Sequence, residues 1–431
     1  MKITVNADIK HLTRVEGHGD IMIRVRDGKL EDARWMVVET PRFFEAMLVG
    51  KSYETAPLLT SRICGICSIG HALASVRAVE KAFGFEPPPL AQKLRLAAKH
   101  GETITSHILH LFFLVAPDFF NEESVIPILA KNPETVRLAL FFKKLANDIC
   151  DLVAGRTTHP VTLQPGGVSR VPRRMEVEAM ITRLEEGKEQ LQKMVDIFAS
   201  LKMPGFIRET EFVSLKGGED RLDPFPWIGG NVVSTDGVLK NEKDYLELTN
   251  EYVVDFSTSK FAKLSRESFA AGSLARVNNN YSHLNKVAKE TAQRLGLSPV
   301  NHNPFMNNIA QVVEVVHVYQ ELLDFFHDLA HYNKIRQEDY LQPVVPREGV
   351  GIGAVEVPRG ILYHDYEIDS RGTIRRANCV IPTTQNNANI HYDLRSYVAE
   401  MVAQDFTEDR MIRQCEMLVR AYDPCISCSV H

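Results

Sequence analysis

Ile309-Ala-Gln-Val312-Val313-Glu-Val-Val316-His-Val-Tyr319-Gln-Glu-Leu-Leu323-Asp-Phe-Phe326 is the stretch that decides the fold class. Ile309, Val312, Val313, Val316, Tyr319, Leu323 and Phe326 return every three or four residues, the interval that lines one face of an α-helix. A long helix with such a stripe is stabilised by burying it against other helices. Val177, Met180, Ile181, Leu184, Leu191, Val195 and Phe198 form a second stripe. Helices are also predicted over about 90–116 and 134–152, and together these imply a bundle core.

Outward from the bundle the pattern changes. Residues 1–40 alternate in polarity, as in Asp20-Ile-Met-Ile-Arg-Val25, with Asp27-Gly28 as a hairpin turn. Residues 41–202 read as helices, interrupted by a loop from Cys64 to Cys67. Residues 203–303, rich in Gly, Asn, Pro and Ser, read as an irregular subdomain, and 304–344 as the bundle helix with its exit. Over 345–431 strands return through Ala354-Val-Glu-Val and Ala377-Asn-Cys-Val-Ile381, followed by helices over about 390–403 and 408–421. The expectation is one unit, 1–431, mainly α with small β parts (α+β): a long-helix bundle core with small antiparallel sheets at its margins.

At 431 residues the chain can bury a large core. Its 50 basic and 55 acidic residues give a net charge of −5, which supplies no reason to expect nucleic acid or an anionic membrane as partner. No segment approaches the roughly 20 apolar residues that span a bilayer. The start, Met1-Lys-Ile-Thr-Val-Asn-Ala, has no apolar core of signal-peptide length. The expected location is cytoplasmic, without direct membrane insertion.

Seven cysteines occur: Cys64, Cys67, Cys150, Cys379, Cys415, Cys425 and Cys428. An odd number in a long chain does not read as a disulfide framework. Four of them form two Cys-x-x-Cys pairs, Arg62-Ile-Cys64-Gly-Ile-Cys67-Ser-Ile-Gly-His71 and Asp423-Pro-Cys425-Ile-Ser-Cys428-Ser-Val-His431. Two intervening residues let both thiolates face one ion across a tight turn, and Gly65 is expected to relieve crowding there. Soft thiolates suit structural zinc, an iron–sulfur centre, or a catalytic metal such as nickel. A thioredoxin-type redox motif is a fourth reading, without the βαβ context it needs. Cys150, Cys379 and Cys415 have no cluster-like spacing and read as buried apolar side chains.

The residues around the pairs narrow this choice. They resemble the two metal-binding motifs of the large subunit of nickel–iron hydrogenases, Arg-x-Cys-Gly-x-Cys-x-x-x-His and Asp-Pro-Cys-x-x-Cys-x-x-His, at every fixed position. Further resemblances follow in order: Arg14-Val-Glu16-Gly-His18, Ser106-His107-Ile-Leu-His110 with Asp118, His159-Pro160 with Pro165-Gly166-Gly167-Val168, Pro358-Arg359-Gly360 and Ile381-Pro382-Thr383-Thr384. The resemblance therefore covers nearly the whole chain and implies the large-subunit fold of that family.

By that resemblance, Cys64 and Cys425 bind nickel terminally, while Cys67 and Cys428 bridge nickel and an iron that carries carbon monoxide and cyanide. Glu16 resembles the first proton relay; read alone, it is an ordinary surface carboxylate. Arg359 and Asp118 resemble a pair above the metals, with Asp423 holding Arg359 from the other side; a structural salt bridge is the plainer reading. Thr383 resembles a hydroxyl donor to one cyanide, and His71 a donor to a bridging sulfur. Glu45 and His431, with a backbone carbonyl near Cys379, resemble ligands of a magnesium or similar ion. Pro41-Arg-Phe-Phe-Glu45 departs from the Phe-Arg-Gly-x-Glu of membrane-linked relatives, which points to the cytoplasmic, bidirectional branch.

In that family a maturation protease trims the precursor after the last histidine, so a chain ending at His431 resembles the processed form. No P-loop or dinucleotide fingerprint is present; Gly351-Ile-Gly353 lacks the rest of one. Electrons from hydrogen would leave through an iron–sulfur small subunit and on through further flavin or iron–sulfur subunits, towards a nicotinamide or an electron-bifurcating partner. The rival readings are a hydrogen sensor, the distantly related quinone-reductase subunit of respiratory complex I, whose lack of the four cysteines argues against it, and a zinc-stapled structural protein.

Overall fold

Asp27 and Gly28 both take positive φ, 49° and 71°, and close the expected hairpin. It joins β2 (Gly19–Arg26) to β3 (Lys29–Val37), and β1 (Val5–Ile9) pairs on the other side of β2, all antiparallel. Ile21, Ile23 and Val25 face inward from β2 in strict alternation, and Trp35 of β3 donates its indole N–H to Asn387 Oδ1 at 3.0 Å. The computed structural model describes residues 3–332 and 334–431; the first two residues of the predicted N-terminal sheet segment lie outside it.

After two one-turn helices, Phe44–Leu48 and Ala56–Thr60, the long helices are α1 (Ser68–Phe83), α2 (Pro89–Ile108), α3 (Pro133–Ala154) and α4 (Arg174–Ala199). The predicted helix over 90–116 runs on from α2 as a π-helical segment, Leu109–Val115, and then one turn, Ala116–Phe119. Such widened turns aim side chains that a regular helix would misdirect. Here His110 reaches Gln311 Oε1 (2.6 Å) and the carbonyl of Arg420 (2.7 Å).

The Gly- and Asn-rich stretch forms a four-stranded sheet, β4 (Glu211–Leu215), β5 (Asn231–Ser234), β6 (Leu239–Asn241) and β7 (Phe269–Ala270), ordered β6-β5-β4-β7. The β4–β7 pair is parallel, unlike the sheets expected. Two short helices, Ser273–Asn280 and Lys286–Arg294, follow.

The stripe read first lies in α5 (Met306–Ala330), which packs against α2 and α4. It is buried on more than that stripe: Asn308, Gln311, Glu314 and His317 are also inside, one helical turn apart. α5 is therefore a central helix with an apolar seam on one side and a polar seam on the other. Each fully buried Val, Leu, Ile or Phe in the apolar seam contributes about 1.5–3 kcal/mol. Against α4 the approach is close. A Cβ on Gly187 would lie 2.3 Å from the Tyr319 hydroxyl, which donates to the carbonyl of Leu184.

β8 (Gly349–Val357), β9 (Gly360–Ile368) and β10 (Ile374–Val380) make an antiparallel sheet on α1. Gly349, Gly351 and Gly353 lie against Ala82, Ala78 and Ala74, where an added Cβ would meet the helix carbonyls at 1.9–2.2 Å. This is why the Gly-x-Gly spacing there has no nucleotide to bind. The chain closes with α6 (Pro382–Ala403), which begins eight residues before the predicted helix because Pro382 fits the first turn, and α7 (Glu408–Ala421). The architecture is that expected: mainly helical, with small sheets at the margins.

Candidate metal centre

The first cysteine loop sits at the N-terminus of α1, which Cys67 opens. Cys64 Sγ accepts the backbone N–H groups of Ile66 (3.3 Å) and Cys67 (3.5 Å), so the turn itself is built around that sulfur. Gly65 is not what relieves crowding: a Cβ there would have only Thr158 at an ordinary 3.8 Å. Gly70 has that role, since a Cβ would lie 2.2 Å from Val357 Cγ1. His159, at a positive φ of 59°, donates its N–H to Ser68 Oγ and places Nδ1 2.9 Å from the carbonyl of Ser61, spanning the loop.

The second loop follows α7. Asp423, at a positive φ of 51°, turns the chain so that Cys425 and the short helix Ile426–Ser429 enter the interior. Cys64 Sγ lies 3.5 Å from Cys425 Sγ, and Cys67 Sγ lies 3.8 Å from Cys428 Sγ. All four sulfurs fall within 4.8 Å of one another, buried and unbonded as disulfides. Residues 361 positions apart thus form one soft donor set, which fits thiophilic metals. Arg42 ties the loops together, donating to the carbonyls of Ile63 (2.7 Å) and Ser427 (2.5 Å).

Charge in this bowl is arranged around Arg359. Its Nη2 donates to Asp423 Oδ1 at 2.8 Å and its Nε to the Asp423 carbonyl. Gln311 Nε2 donates to the other carboxylate oxygen at 3.2 Å. Burial opposes the charge on Arg359, but Asp423 and the cysteine thiolates outweigh it and hold the guanidinium firmly protonated. Hydrogen bonds from the neighbouring thiols, with Arg359 adding to them, hold Cys64 well below the ordinary thiol range, whereas burial pushes Cys425 up. Arg359 Nη1 is buried without a hydrogen-bond partner. Such orphaned atoms are rare in proteins and mark where something polar belongs.

Glu16 lies against the second loop. A one-residue parallel bridge joins Glu16 to Cys425, and the Glu16 carbonyl accepts the N–H of Ile426 at 3.0 Å. Its carboxylate accepts the N–H of Ser427 at 3.1 Å and the Ser427 hydroxyl. The approach depends on Gly17, whose φ is 84° and whose Cβ would lie 2.8 Å from Ile426. Thr383 Oγ1 accepts the N–H of Cys425 at 3.0 Å, leaving the hydroxyl proton to point elsewhere. His71 is buried one turn beyond Cys67 and pairs through Nδ1 with His364; burial lowers its pKa to about 3, so it is neutral.

Asp118 is the correction. Its carboxylate does not pair with Arg359 but is taken by Arg14 (2.5 Å) and by Arg420, whose Nη1 reaches both oxygens (2.9 and 3.1 Å). The π-helical turn before Asp118 carries it to the β1–β2 connection and α7, so it clamps three segments instead of facing the thiolates.

A second cluster joins Glu45, Cys379 and His431, with one donor atom from each within 4.8 Å. Glu45 Oε1 accepts the N–H of Cys379 at 2.7 Å and lies 3.4 Å from His431 Nε2. Burial raises the Glu45 pKa, but His431 and the Cys379 N–H more than reverse that and leave it lowered. Phe43 lies two residues before it. It has a φ of 60° and is 68% exposed. Cys150 and Cys415 are buried and take no part in either cluster.

Several residues escaped the sequence reading. Arg276 is fully buried between Glu314 (2.6 Å) and Glu356 (2.9 Å), and Glu314 also holds His107 at 2.8 Å. Glu102 accepts the N–H groups of Ile69 and Gly70 at the start of α1. The polar seam Gln311, Glu314, His317 at helical spacing was the available signal, masked by the stronger apolar stripe.

Residues 42–141 and 234–431 match the family described as nickel-dependent hydrogenase, and residues 6–40 match a HoxL-like family. The chain is 32% identical to sulfhydrogenase 2 subunit alpha of Pyrococcus furiosus, over 98% of each chain. It is 29% identical to the NAD-reducing hydrogenase HoxS subunit beta of Cupriavidus necator, over 98% of this chain and 94% of that one. A crystal structure of an NAD+-reducing nickel–iron hydrogenase in the hydrogen-reduced state superimposes with a TM-score of 0.88 at 28% identity, covering 99% of this chain and all of that one. The nickel–iron–selenium hydrogenase of Dm. baculatum shares the fold, with a TM-score of 0.81 at 21% identity. The chain belongs to the nickel-dependent hydrogenase family, a class of oxidoreductases acting on dihydrogen.

Proposed function

We propose that this chain is the catalytic subunit of a cytoplasmic hydrogenase that splits dihydrogen reversibly into protons and electrons. The observation that carries the reading is the buried set of four cysteine sulfurs, drawn from both motifs, beneath the Arg359–Asp423 pair. The donor set fits a nickel–iron centre, which Cys64, Cys67, Cys425 and Cys428 would hold. When bound, that centre with its carbon monoxide and cyanide ligands supplies the polarisation that makes dihydrogen acidic. Everything else in the reaction falls to side chains.

Glu16, held in place by Ser427, takes the proton from the cysteine side and passes it outward. Arg359 keeps Nη1 without a partner while Asp423 fixes its orientation, a preorganised positive charge in a water-poor site. Thr383 has a hydroxyl proton free that it would donate to a cyanide of the bound centre. Glu45 and His431, with the chain at Cys379, would hold a magnesium-like ion.

Electrons leave through an iron–sulfur small subunit docked beside the first cysteine loop. Phe43, Leu58 and Val161, all exposed on segments flanking that loop, are consistent with such a surface. The likeness to NAD-reducing relatives favours further flavin and iron–sulfur subunits that serve a nicotinamide or an electron-bifurcating partner. A maturation protease would act on the precursor. Among the described residues, no helix is long and apolar enough to cross a membrane.

The test is an infrared spectrum of the purified protein under hydrogen and after oxidation. Carbon monoxide and cyanide bands that move between the two states support the reading. Stoichiometric zinc without those bands would replace it with a zinc-stapled structural protein.

A further inference from the structure

Val357 pairs with Gly360 across the β8–β9 hairpin, so Pro358 and Arg359 alone make its two-residue loop. Such a loop has carbonyl groups that the strand ladder does not use, and most loops turn them to water. Here Val357 to Gly360 are all buried. The carbonyls are taken instead by two side chains from elsewhere in the chain. Arg276 Nη1 donates to the carbonyl of Val357 at 2.9 Å, and its Nη2 to that of Pro358 at 3.0 Å. Asn386 Nδ2 donates to the carbonyl of Arg359 at 3.0 Å. Three consecutive carbonyls, ending at the residue that carries the guanidinium, are therefore held by side chains that are themselves buried.

Both donors are anchored. Arg276 comes from the short helix Ser273–Asn280 and is gripped by Glu314 of α5 (2.6 Å) and Glu356 of β8 (2.9 Å). Asn386 lies near the start of α6, and its Oδ1 accepts the N–H of Ala271 at 2.8 Å. Ala271 and Gly272 press on the same loop. A Cβ on Gly360 would lie 2.6 Å from Ala271 Cβ, and one on Gly272 would lie 3.3 Å from the Arg359 carbonyl oxygen. One turn before Asn386 on the same helix, Thr383 Oγ1 accepts the N–H of Cys425 at 3.0 Å. α6 thus holds the hairpin loop and the second cysteine loop on one rigid element. The two hydrogen bonds from Arg359 to Asp423 cross between them.

A two-residue turn has one soft coordinate, since rotating its central peptide exchanges one turn type for another. That rotation would change the direction in which the Arg359 side chain leaves the backbone. With the Pro358 carbonyl on Arg276 and the Arg359 carbonyl on Asn386, the peptides on both sides of the Arg359 α-carbon are pinned. We propose that Asn386, supported by Arg276, is a positioning residue that fixes the backbone of Arg359 and so seats its guanidinium on Asp423 beside the second cysteine loop. It acts on the reaction only through Arg359. The consequence for hydrogen activation rests on the nickel–iron reading of the four cysteines; the seating of Arg359 does not.

The test uses the assembled enzyme with Asn386→Ala, which removes the donor to the Arg359 carbonyl. In crystals of this variant the four sulfurs should stay grouped while the Arg359 guanidinium leaves hydrogen-bond distance of Asp423. A guanidinium still seated on Asp423 overturns the proposal. Hydrogen–deuterium exchange gives an independent reading, because displacing a group at a reaction centre by about 1 Å costs on the order of a hundredfold. A loss of about ten- to hundredfold is expected, with carbon monoxide and cyanide bands unchanged. In an Arg359→Lys background the rigid fork is already gone, so Asn386→Ala should change the remaining exchange by less than about twofold. Equal losses in the two backgrounds would show that Asn386 acts otherwise than through Arg359, and would overturn the proposal. If the alanine variant does not mature, Arg276→Lys takes its place in both measurements. It keeps a counter-charge for Glu314 and Glu356, but one ammonium replaces a five-donor fork and gives up the loop carbonyls. Failure of both variants to take up nickel assigns the two residues to folding alone, which also overturns the proposal. An unsubstituted protein without the infrared bands refutes the nickel–iron reading instead, and the crystals then still decide the seating of Arg359.

Discussion

Replacing Glu16 with glutamine should separate proton transfer from everything else the second loop does. Glutamine has nearly the same shape, and its carbonyl oxygen can still accept the Ser427 N–H that Glu16 holds at 3.1 Å. The Ser427 hydroxyl, which now donates to Glu16, can turn and accept from the new amide. The backbone contact of residue 16 with Ile426 is untouched. The structural cost is therefore the weakening of charge-assisted bonds at a half-buried position, about 1 kcal/mol. The chemical cost is larger, since an amide cannot take up a proton, and losing a positioned general base slows proton transfer on the order of 10²–10⁴-fold. The assay is hydrogen–deuterium exchange between deuterium gas and water, followed as HD by mass spectrometry, with nickel content and infrared bands measured on the same sample. Normal nickel and unchanged bands with exchange reduced by that factor is the expected result. Exchange within about twofold of the unsubstituted protein would refute the relay role, because a factor of two is only about 0.4 kcal/mol of barrier.

Three further outcomes follow from particular contacts. Asp118→Asn should destabilise the chain by about 3–5 kcal/mol, since Arg14 and buried Arg420 lose their shared counter-charge, while the infrared bands stay put; a moved band with unchanged stability would return Asp118 to the metal site. Burial alone would raise the pKa of Glu314, but Arg276 and His107 override that and leave it far below the carboxylate range. A depressed carboxylate contributes stability that is complete above its unfolded pKa and is lost as the pH falls towards the folded one, so the urea midpoint should drop progressively below about pH 5, and Glu314→Gln should flatten that drop. Phe43→Gly should relieve left-handed strain of about 1–2 kcal/mol, offset by about 0.4–1 kcal/mol of extra freedom in the unfolded chain. A small rise in the melting temperature is expected, and a fall would show that Phe43 is held by contacts stronger than its strain.

The fold was largely legible because its main helices announce themselves by spacing. Ile309 to Phe326 and Val177 to Phe198 read as helices, and they are helices, since an apolar stripe has only one efficient way to be buried. The Asp27-Gly28 turn was legible for a similar reason: both residues tolerate positive φ. The stretch after Met203 was not, because its strands are short and Glu211–Leu215 finds its parallel partner, Phe269–Ala270, far along the chain. The early start of α6 was missed because Thr383, Thr384, Gln385, Asn386 and Asn387 are polar, yet all are buried. The burial of Thr383, Gln385, Asn386 and Asn387 is repaid by bonds to partners such as Cys425, Ile361, Arg359, Trp35 and Ser259, none of them local.

The sequence by itself determined the donor set: four thiol-bearing residues in two short turns, an acid at position 16, an arginine at 359 and an aspartate at 423. Those are properties of side-chain chemistry and local spacing, and they need no fold to be read. Only the tertiary structure decided which of these groups meet. It brought Cys64 to within 3.5 Å of Cys425, gave Arg359 to Asp423, and sent Asp118 to Arg14 and Arg420 instead. The reason is that a buried charge is stable only beside its counter-charge, and which counter-charge lies within reach depends on how α1, α7 and the π-helical turn pack, a matter of contacts hundreds of residues apart.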